Sequence, residues 1–427
     1  MSQVVLVIAG AFAALLGSSV VGWAVASTIL VLVATLFLSS SAIYLLIGVA
    51  LAALVAKFSQ RIIPWRFLPF AIYLALGLAL IWGRSSIITP AAILLVVAIG
   101  SWIVGNLAGS PAGWTINVER WIAIAIVAIV LFELAVGLAQ QAGANIFPPG
   151  ERTEELTAGR VNGTTGHPGT LGKAILLIAT LALPLTRSVD VVARRASYLA
   201  LFGSLVIIGL TISRTNIIAF ALLIVIWAVL LPKERKLSAR IVLPVSIGIA
   251  GLFFLDAILE RFAEDPLGGA RERFMSVAER MISQHLAFGV GPGNYVTVGG
   301  LLDSLTAKGW RVHNVFFLEA AELGVVGAIL LFGPMIVLVV RALRILAASP
   351  SPSQDFARAL VAATLPLTLI CITGWGLVNG SILLLWFFVM GVSEGRMKDW
   401  QPAFHAPNMK LVAARKIPRR EKWGGSK

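Results

Sequence analysis

The sequence predicts an all-α fold: a polytopic membrane helix bundle of 12 or 13 spans, with a large extracytoplasmic loop that contains an amphipathic helix. Three observations carry this. Of 427 residues, 58% are hydrophobic and 13% charged, with a mean hydropathy of +0.92. That balance leaves a soluble domain too little polar surface to cover itself. Met1 to Ala56 contains no charged residue, more chain than two crossings of about 20 residues each require. Beyond it, apolar runs alternate with charged punctuation over almost the whole chain.

The uncharged N-terminal block holds two or three spans. It lacks a basic leader and its apolar run is long, so it does not read as a cleavable signal peptide. The next runs are Phe67–Gly83, Ser86–Gly105, Trp121–Ala139, Gly169–Thr186, Ala196–Ser213 and Thr215–Leu231. Ile241–Ala257, Asn314–Val340, Ala359–Gly376 and Leu377–Val392 follow. A transmembrane domain over 1–393 and a basic tail over 394–427 account for the chain. No composition shift marks a second domain.

Lys and Arg counts set the orientation. The tail carries Arg396, Lys398, Lys410, Arg415, Lys416, Arg419, Arg420, Lys422 and Lys427, which makes it cytoplasmic. Counting spans backwards puts Arg341–Arg358, Lys233–Arg240, Arg187–Arg195, Gly105–Arg120 and Lys57–Arg66 on the same side. With the tail, these segments hold 23 of the 34 Lys and Arg but 7 of the 20 Asp and Glu. The net charge of +14 is therefore an orientation signal with a tail suited to anionic lipid. It is not a nucleic-acid footprint, and the lipid bilayer is the partner it implies. The single cysteine, Cys371, excludes an internal disulfide and a Cys-based metal site.

Two outer segments have real length, about Gln140–Pro168 and Ile258–His313. In the second, Phe274, Val277, Ala278, Met281, Ile282 and Leu286 recur at helical spacing from Arg271 to Leu286. Such a helix either lies on the membrane surface or packs over the bundle and roofs it.

Candidate chemistry gathers on this outer side. Arg214 sits in the break Ser213-Arg214-Thr215, where it either faces protein and water or snorkels to headgroups. Arg271 and Arg273 open the amphipathic helix, where cations oppose the macrodipole and an anion would answer both guanidinium and free amides. The alternative there is a solvated charge balanced by Glu272. His313, after Arg311 and before Asn314, is either a proton acceptor near neutral pH or an ordinary boundary residue. Glu319 and Glu322 share a helix face, with pairing to an arginine such as Arg214 expected. Gly289-Val290-Gly291-Pro292-Gly293-Asn294-Tyr295 lacks the context of a phosphate loop and reads as a tight turn. Arg160 precedes the polar stretch Asn162–Gly169, and Lys173, a turn inside the next run, needs an anionic partner. The four histidines are scattered and offer no divalent-metal cluster, so no cofactor is expected.

In this order the motifs resemble the O-antigen ligase and O-antigen polymerase family. The resemblance rests on Arg271, the Gly289–Tyr295 turn, His313-Asn314-Val315-Phe316-Phe317-Leu318-Glu319 and Glu322-Leu323-Gly324-Val325-Val326-Gly327. Ser213-Arg214 is similar to that family's Ser-Arg boundary, and Gly163-Thr164-Thr165-Gly166-His167-Pro168 to its polar approach to a span. Gly169 departs from a common Asn, and Leu286 stands where Pro is common. The resemblance implies a metal-independent glycosyltransferase of the cytoplasmic membrane. It would move a glycan from a polyprenyl-diphosphate-linked donor to a glycan or lipid acceptor at the outer face. Carried over, Arg214 and Arg271 bind the diphosphate and stabilise its leaving charge, and His313 serves as base or orienting donor. Arg160, Arg273, Arg311, Asn314 and Glu319 are expected around them as substrate-binding residues. A solute transporter and a non-catalytic scaffold for envelope polysaccharide assembly stand as alternatives; a transporter should show inverted repeats, or broken helices and ionisable residues near the midplane.

Overall fold

The computed structural model describes residues 3–38, 42–56, 65–83, 85–148, 159–232, 270–348, 354–374, 376–378 and 380–399. The expected span Ile241–Ala257, the Lys233–Arg240 segment, the start of the large loop and the tail beyond residue 399 lie outside them. The described residues are helical, with no strand.

In chain order the helices are α1 (Gln3–Val21), α2 (Trp23–Phe37), α3 (Ala42–Ala56), α4 (Trp65–Trp82), α5 (Ser85–Ala108), α6 (Ile116–Gln141) and α7 (Pro168–Leu185). They continue as α8 (Val191–Leu210), α9 (Arg214–Leu230), α10 (Arg271–Gln284), α11 (Val315–Ala347), α12 (Gln354–Thr373) and α13 (Gly380–Arg396). Among the described residues eight are long and apolar enough to cross a membrane, and α2, α3 and α9 are shorter apolar helices. The protein is thus a multi-pass helical membrane protein. α1 lies at the edge, with 17% of its span buried, whereas α7 is central, with 83% buried. Side chains at the head of α7 therefore face protein rather than lipid.

Charged side chains separate to the two ends of the bundle. At one end Arg120 pairs with Asp190, and Arg187 reaches Asp355 at 2.6 Å. There Arg66 pairs with Glu394 at 2.6 Å, and Arg341 lies 3.9 Å from the same carboxylate oxygen. Buried Glu394 also accepts Trp102 Nε1 at 2.6 Å and Asn106 Nδ2 at 3.2 Å, which leaves no lone carboxylate among apolar helices. α7 and α11 both run from the opposite end towards this one. Their first residues, and those of α9, therefore gather with α10 at the far end.

α10 is the expected amphipathic helix, and it packs over the bundle. Phe274, Val277, Ala278 and Met281 are buried against Tyr295, Val312, Leu318 and Ala321. It ends at Gln284, two residues before the expected Leu286, which is exposed. The reason lies in α11. The sequence predicts one uninterrupted span from Asn314 to Val340, but α11 breaks at Gly324, where φ is 73° and ψ is 166°. Residues 286–293 are spliced into the break. Val325 N donates to the Leu286 carbonyl at 2.9 Å, Val290 N to Ala321 O at 3.0 Å and Gly291 N to Glu322 O at 2.8 Å. The Tyr73 hydroxyl on α4 reaches both Leu323 O and Ala287 O. Backbone groups orphaned by the break thus find partners, as burial requires. Gly289, Gly291 and Gly293, at φ 65°, 98° and 75°, make a turn tight enough to enter, so the expected simple turn is also the seal of a broken helix. From the break to Arg341 the helix rises about 24 Å, so the interruption sits towards the α10 end.

Candidate functional site

The head of α7 is held from α6. The Gln140 amide oxygen accepts Asn162 N at 3.1 Å and Gly163 N at 2.9 Å, and buried Glu133 accepts Thr164 N at 3.1 Å. These bonds fix the turn through Gly163 and Gly166, which delivers His167 to the N-cap of α7. His167 Nδ1 accepts the amides of Gly169 at 3.0 Å and Thr170 at 3.3 Å. That assigns its proton to Nε2. Burial, and then the charges of Lys173 and Arg160, lower its pKa to about 4, so the ring is neutral at physiological pH.

Arg160 lies along the turn between α8 and α9, donating Nε–H to Thr211 O at 2.9 Å. The next residue in that turn, Ile212, has φ 47°, a strained conformation for a β-branched side chain. Arg214 follows as the first residue of α9, whose N-cap Ser213 makes no side-chain capping bond. Two residues on, buried Asn216 donates Nδ2–H to Gly169 O at 3.2 Å. Lys173 Nζ donates to the same carbonyl at 3.2 Å. The start of α9 is therefore tied to the head of α7 through one oxygen.

Arg271 opens α10 on an exposed position, after Ala270, which has no side chain to cap the helix. Phe274, a turn later, lies over His313 with ring centroids 6.0 Å apart and planes at 25°. His313 is half-buried. Burial, the Arg271 charge and then the Lys173 charge push its pKa down to about 4. Its Nδ1 is buried and has no hydrogen-bond partner among the described residues. The structure thus brings His313 within electrostatic reach of Arg271 and Lys173, and His167 within reach of Lys173 and Arg160.

The other expected residues have visible structural duties. Asn314 caps α11, accepting the amides of Phe316 at 3.0 Å and Phe317 at 3.3 Å. Arg273 pairs with Asp303 and donates to Ser304 Oγ at 3.2 Å, tying α10 to the short turn at Ser304–Ala307. Glu319 and Glu322 are buried, and the arginine charge that both feel is that of Arg311; Arg311 fills the place foreseen for an arginine such as Arg214. Glu322 accepts Gly293 N at 2.6 Å and Tyr295 N at 3.2 Å, so its carboxylate holds the spliced turn. Among the described residues no three His, Cys, Asp or Glu side chains converge as a metal site would need.

Around the neutral His313 and His167 stand cations, while the carboxylates of Glu133, Glu322 and Asp303 are occupied by backbone amides, hydroxyls and Arg273. Such an arrangement suits an anion, with an unpartnered imidazole nitrogen beside it to accept a proton. Sequence reasoning noted that Lys173 needs an anionic partner and placed His167 in the polar approach to a span, but left both out of the candidate site. Its signals were a histidine directly before a helix-starting proline and a lysine inside an apolar run.

Residues 199–332 match the family model described as O-Antigen ligase, a stretch that includes Arg214, Arg271, His313 and the break at Gly324. No curated protein matches the chain.

Proposed function

We propose that this chain, whose residues 199–332 match the O-antigen ligase model, transfers a glycan from a polyprenyl-diphosphate-linked donor to a glycan or lipid acceptor. The reaction takes place at the extracytoplasmic end of the bundle, the end remote from the basic segments. Arg214 and Arg271 take the diphosphate, and each opens a helix lacking a side-chain cap, so amide N–H groups add to the guanidinium charge. As the glycosidic bond to phosphate breaks, negative charge grows on the leaving diphosphate and these donors stabilise it. His313 accepts the acceptor hydroxyl's proton. The observation that carries the reading is the buried, unpartnered Nδ1 of His313 beside Arg271. Arg160, Arg311, Arg273, Asn314 and Glu319 line or brace the donor and acceptor paths.

A transporter would use broken helices near the midplane. The α11 break sits towards the α10 end and is filled by residues 286–293, which favours the enzyme reading. The test is transfer by the purified protein from a polyprenyl-diphosphate glycan, with and without EDTA. Turnover unaffected by the chelator is expected. No transfer to any glycan or lipid acceptor, together with solute uptake into proteoliposomes, would establish the transporter instead.

A further inference from the structure

Lys173 lies one helical turn inside α7, half-buried in the most enclosed of the eight long helices. An ammonium carries three donors, yet among the described residues its one hydrogen-bond partner is the Gly169 carbonyl at 3.2 Å, and no carboxylate pairs with it. Burying a charge so poorly matched costs stability. Two glycines nevertheless make room for it. A Cβ on Gly376 would lie 2.7 Å from Nζ, and one on Gly169 would lie 3.5 Å from it. The ammonium thus occupies a slot between the head of α7 and the Gly376–Val378 turn before α13. Its charge is felt at both His167 and His313.

Depth narrows the ligand. Lys173 lies about 9 Å below His167 along the helix, and below it α7 is apolar from Ala174 to Ala179. An anion reaching it must sit at the edge of the hydrocarbon, as the headgroup of an amphiphile does and a free phosphate does not.

Building on the donor reading above, we propose that Lys173 is a third cation of the donor site, its ammonium taking a phosphate oxygen of the polyprenyl diphosphate in the slot opened by Gly169 and Gly376. The two guanidiniums approach from α9 and α10, and Lys173 approaches from α7 on the membrane side. The site then grips the diphosphate from the side on which its polyprenyl chain leaves.

The experiment uses the full chain in nanodiscs, with farnesyl diphosphate, farnesol and inorganic diphosphate as probes, on wild type, Lys173→Met and Gly376→Ala. Losing a charge-assisted bond should weaken farnesyl diphosphate binding by about 10- to 100-fold in Lys173→Met, with farnesol binding unchanged. The melting temperature should hold or rise, because an ill-matched buried charge is gone; a lysine with a purely structural role would lower it. Gly376→Ala, which displaces the ammonium and keeps its charge, should weaken diphosphate binding by a smaller factor. Wild-type affinity for farnesyl diphosphate in both variants overturns the inference and leaves the donor reading standing. Failure of the wild type to bind farnesyl diphosphate overturns both. Inorganic diphosphate binding as tightly as farnesyl diphosphate overturns the lipid-headgroup assignment.

Discussion

Gly324 and Ala287 meet backbone to backbone: a Cβ on Gly324 would lie 2.2 Å from the Ala287 carbonyl oxygen. With φ 73° and ψ 166°, Gly324 also occupies a region that is essentially glycine's alone. Strain and clash act together, so Gly324→Ala should cost roughly 2–4 kcal/mol. Thermal unfolding of the purified protein checks this. A melting temperature equal to wild type would mean that the splice is not a rigid element.

The Tyr73 hydroxyl offers a gentler probe of the same joint. It touches the carbonyls of Leu323 and Ala287 while its ring stacks on Phe288, centroids 5.0 Å apart. Tyr73→Phe keeps the stack and leaves buried carbonyls short of a donor, at a cost of about 1–3 kcal/mol. Amide exchange should rise at residues 286–293 and 321–325 and stay unchanged in α7. Uniform exchange across the protein would contradict a local role.

These two residues also mark where sequence reading stops. The helices were legible because apolar runs and charged breaks are local signals, and the ends of α7 and α9 fall within a residue or two of expectation. The amphipathic face of α10 was legible for the same reason. The break in α11 was not, because hydropathy runs on through Gly324 and its replacement hydrogen bonds come from residues about 35 positions earlier. The same applies to the site. Arg214, Arg271 and His313 announce themselves by position and motif. Lys173 reveals its isolation only when Gly376, some two hundred residues away, is seen to leave room for it.

Orientation rests on Lys/Arg asymmetry and has a direct test. Leu301 is 85% exposed beside the turn that Arg273 and Asp303 hold, and the native Cys371 is buried. Leu301→Cys should react with a membrane-impermeant thiol reagent in intact cells, while Ser238→Cys should react only after lysis. The reverse pattern would put the site on the cytoplasmic side and end the proposed reaction.

Two histidines outside the spans have pKa values lowered to about 4 from 6.5. A group that is harder to protonate in the folded state contributes stability that is complete above pH 6.5 and lost as the pH falls towards 4. The melting temperature should therefore drop between pH 7 and pH 5. Catalysis carries a second signature. In the free protein burial, and then the charges of Arg271 and Lys173, hold His313 neutral, and a bound diphosphate would offset the two charges. The acid limb of kcat/KM, which reports the free enzyme, should fall near pH 4, and that of kcat should lie higher. Coincident limbs would mean that the donor offsets neither cation's effect on His313, burial being common to both states.

Roles within the set separate by comparing variants. A guanidinium presents a planar fork to a phosphate and an ammonium presents a point charge. Arg214→Lys and Arg271→Lys should therefore each lose most transfer while membrane insertion and melting temperature hold. Lys173 already supplies a point charge from α7, so a further ammonium does not replace the fork at the other two positions. His313→Ala should keep donor affinity and slow the chemical step by about 10²- to 10⁴-fold if the imidazole is the base. Its unpartnered Nδ1 means that few native contacts are lost, although the Phe274 ring loses its stacking partner. Donor binding and single-turnover transfer, measured on all three variants, separate the two roles. If His313→Ala abolishes donor binding and the arginine variants turn over at wild-type rates, the assignment is inverted. Arg214 is then a boundary residue that snorkels to headgroups.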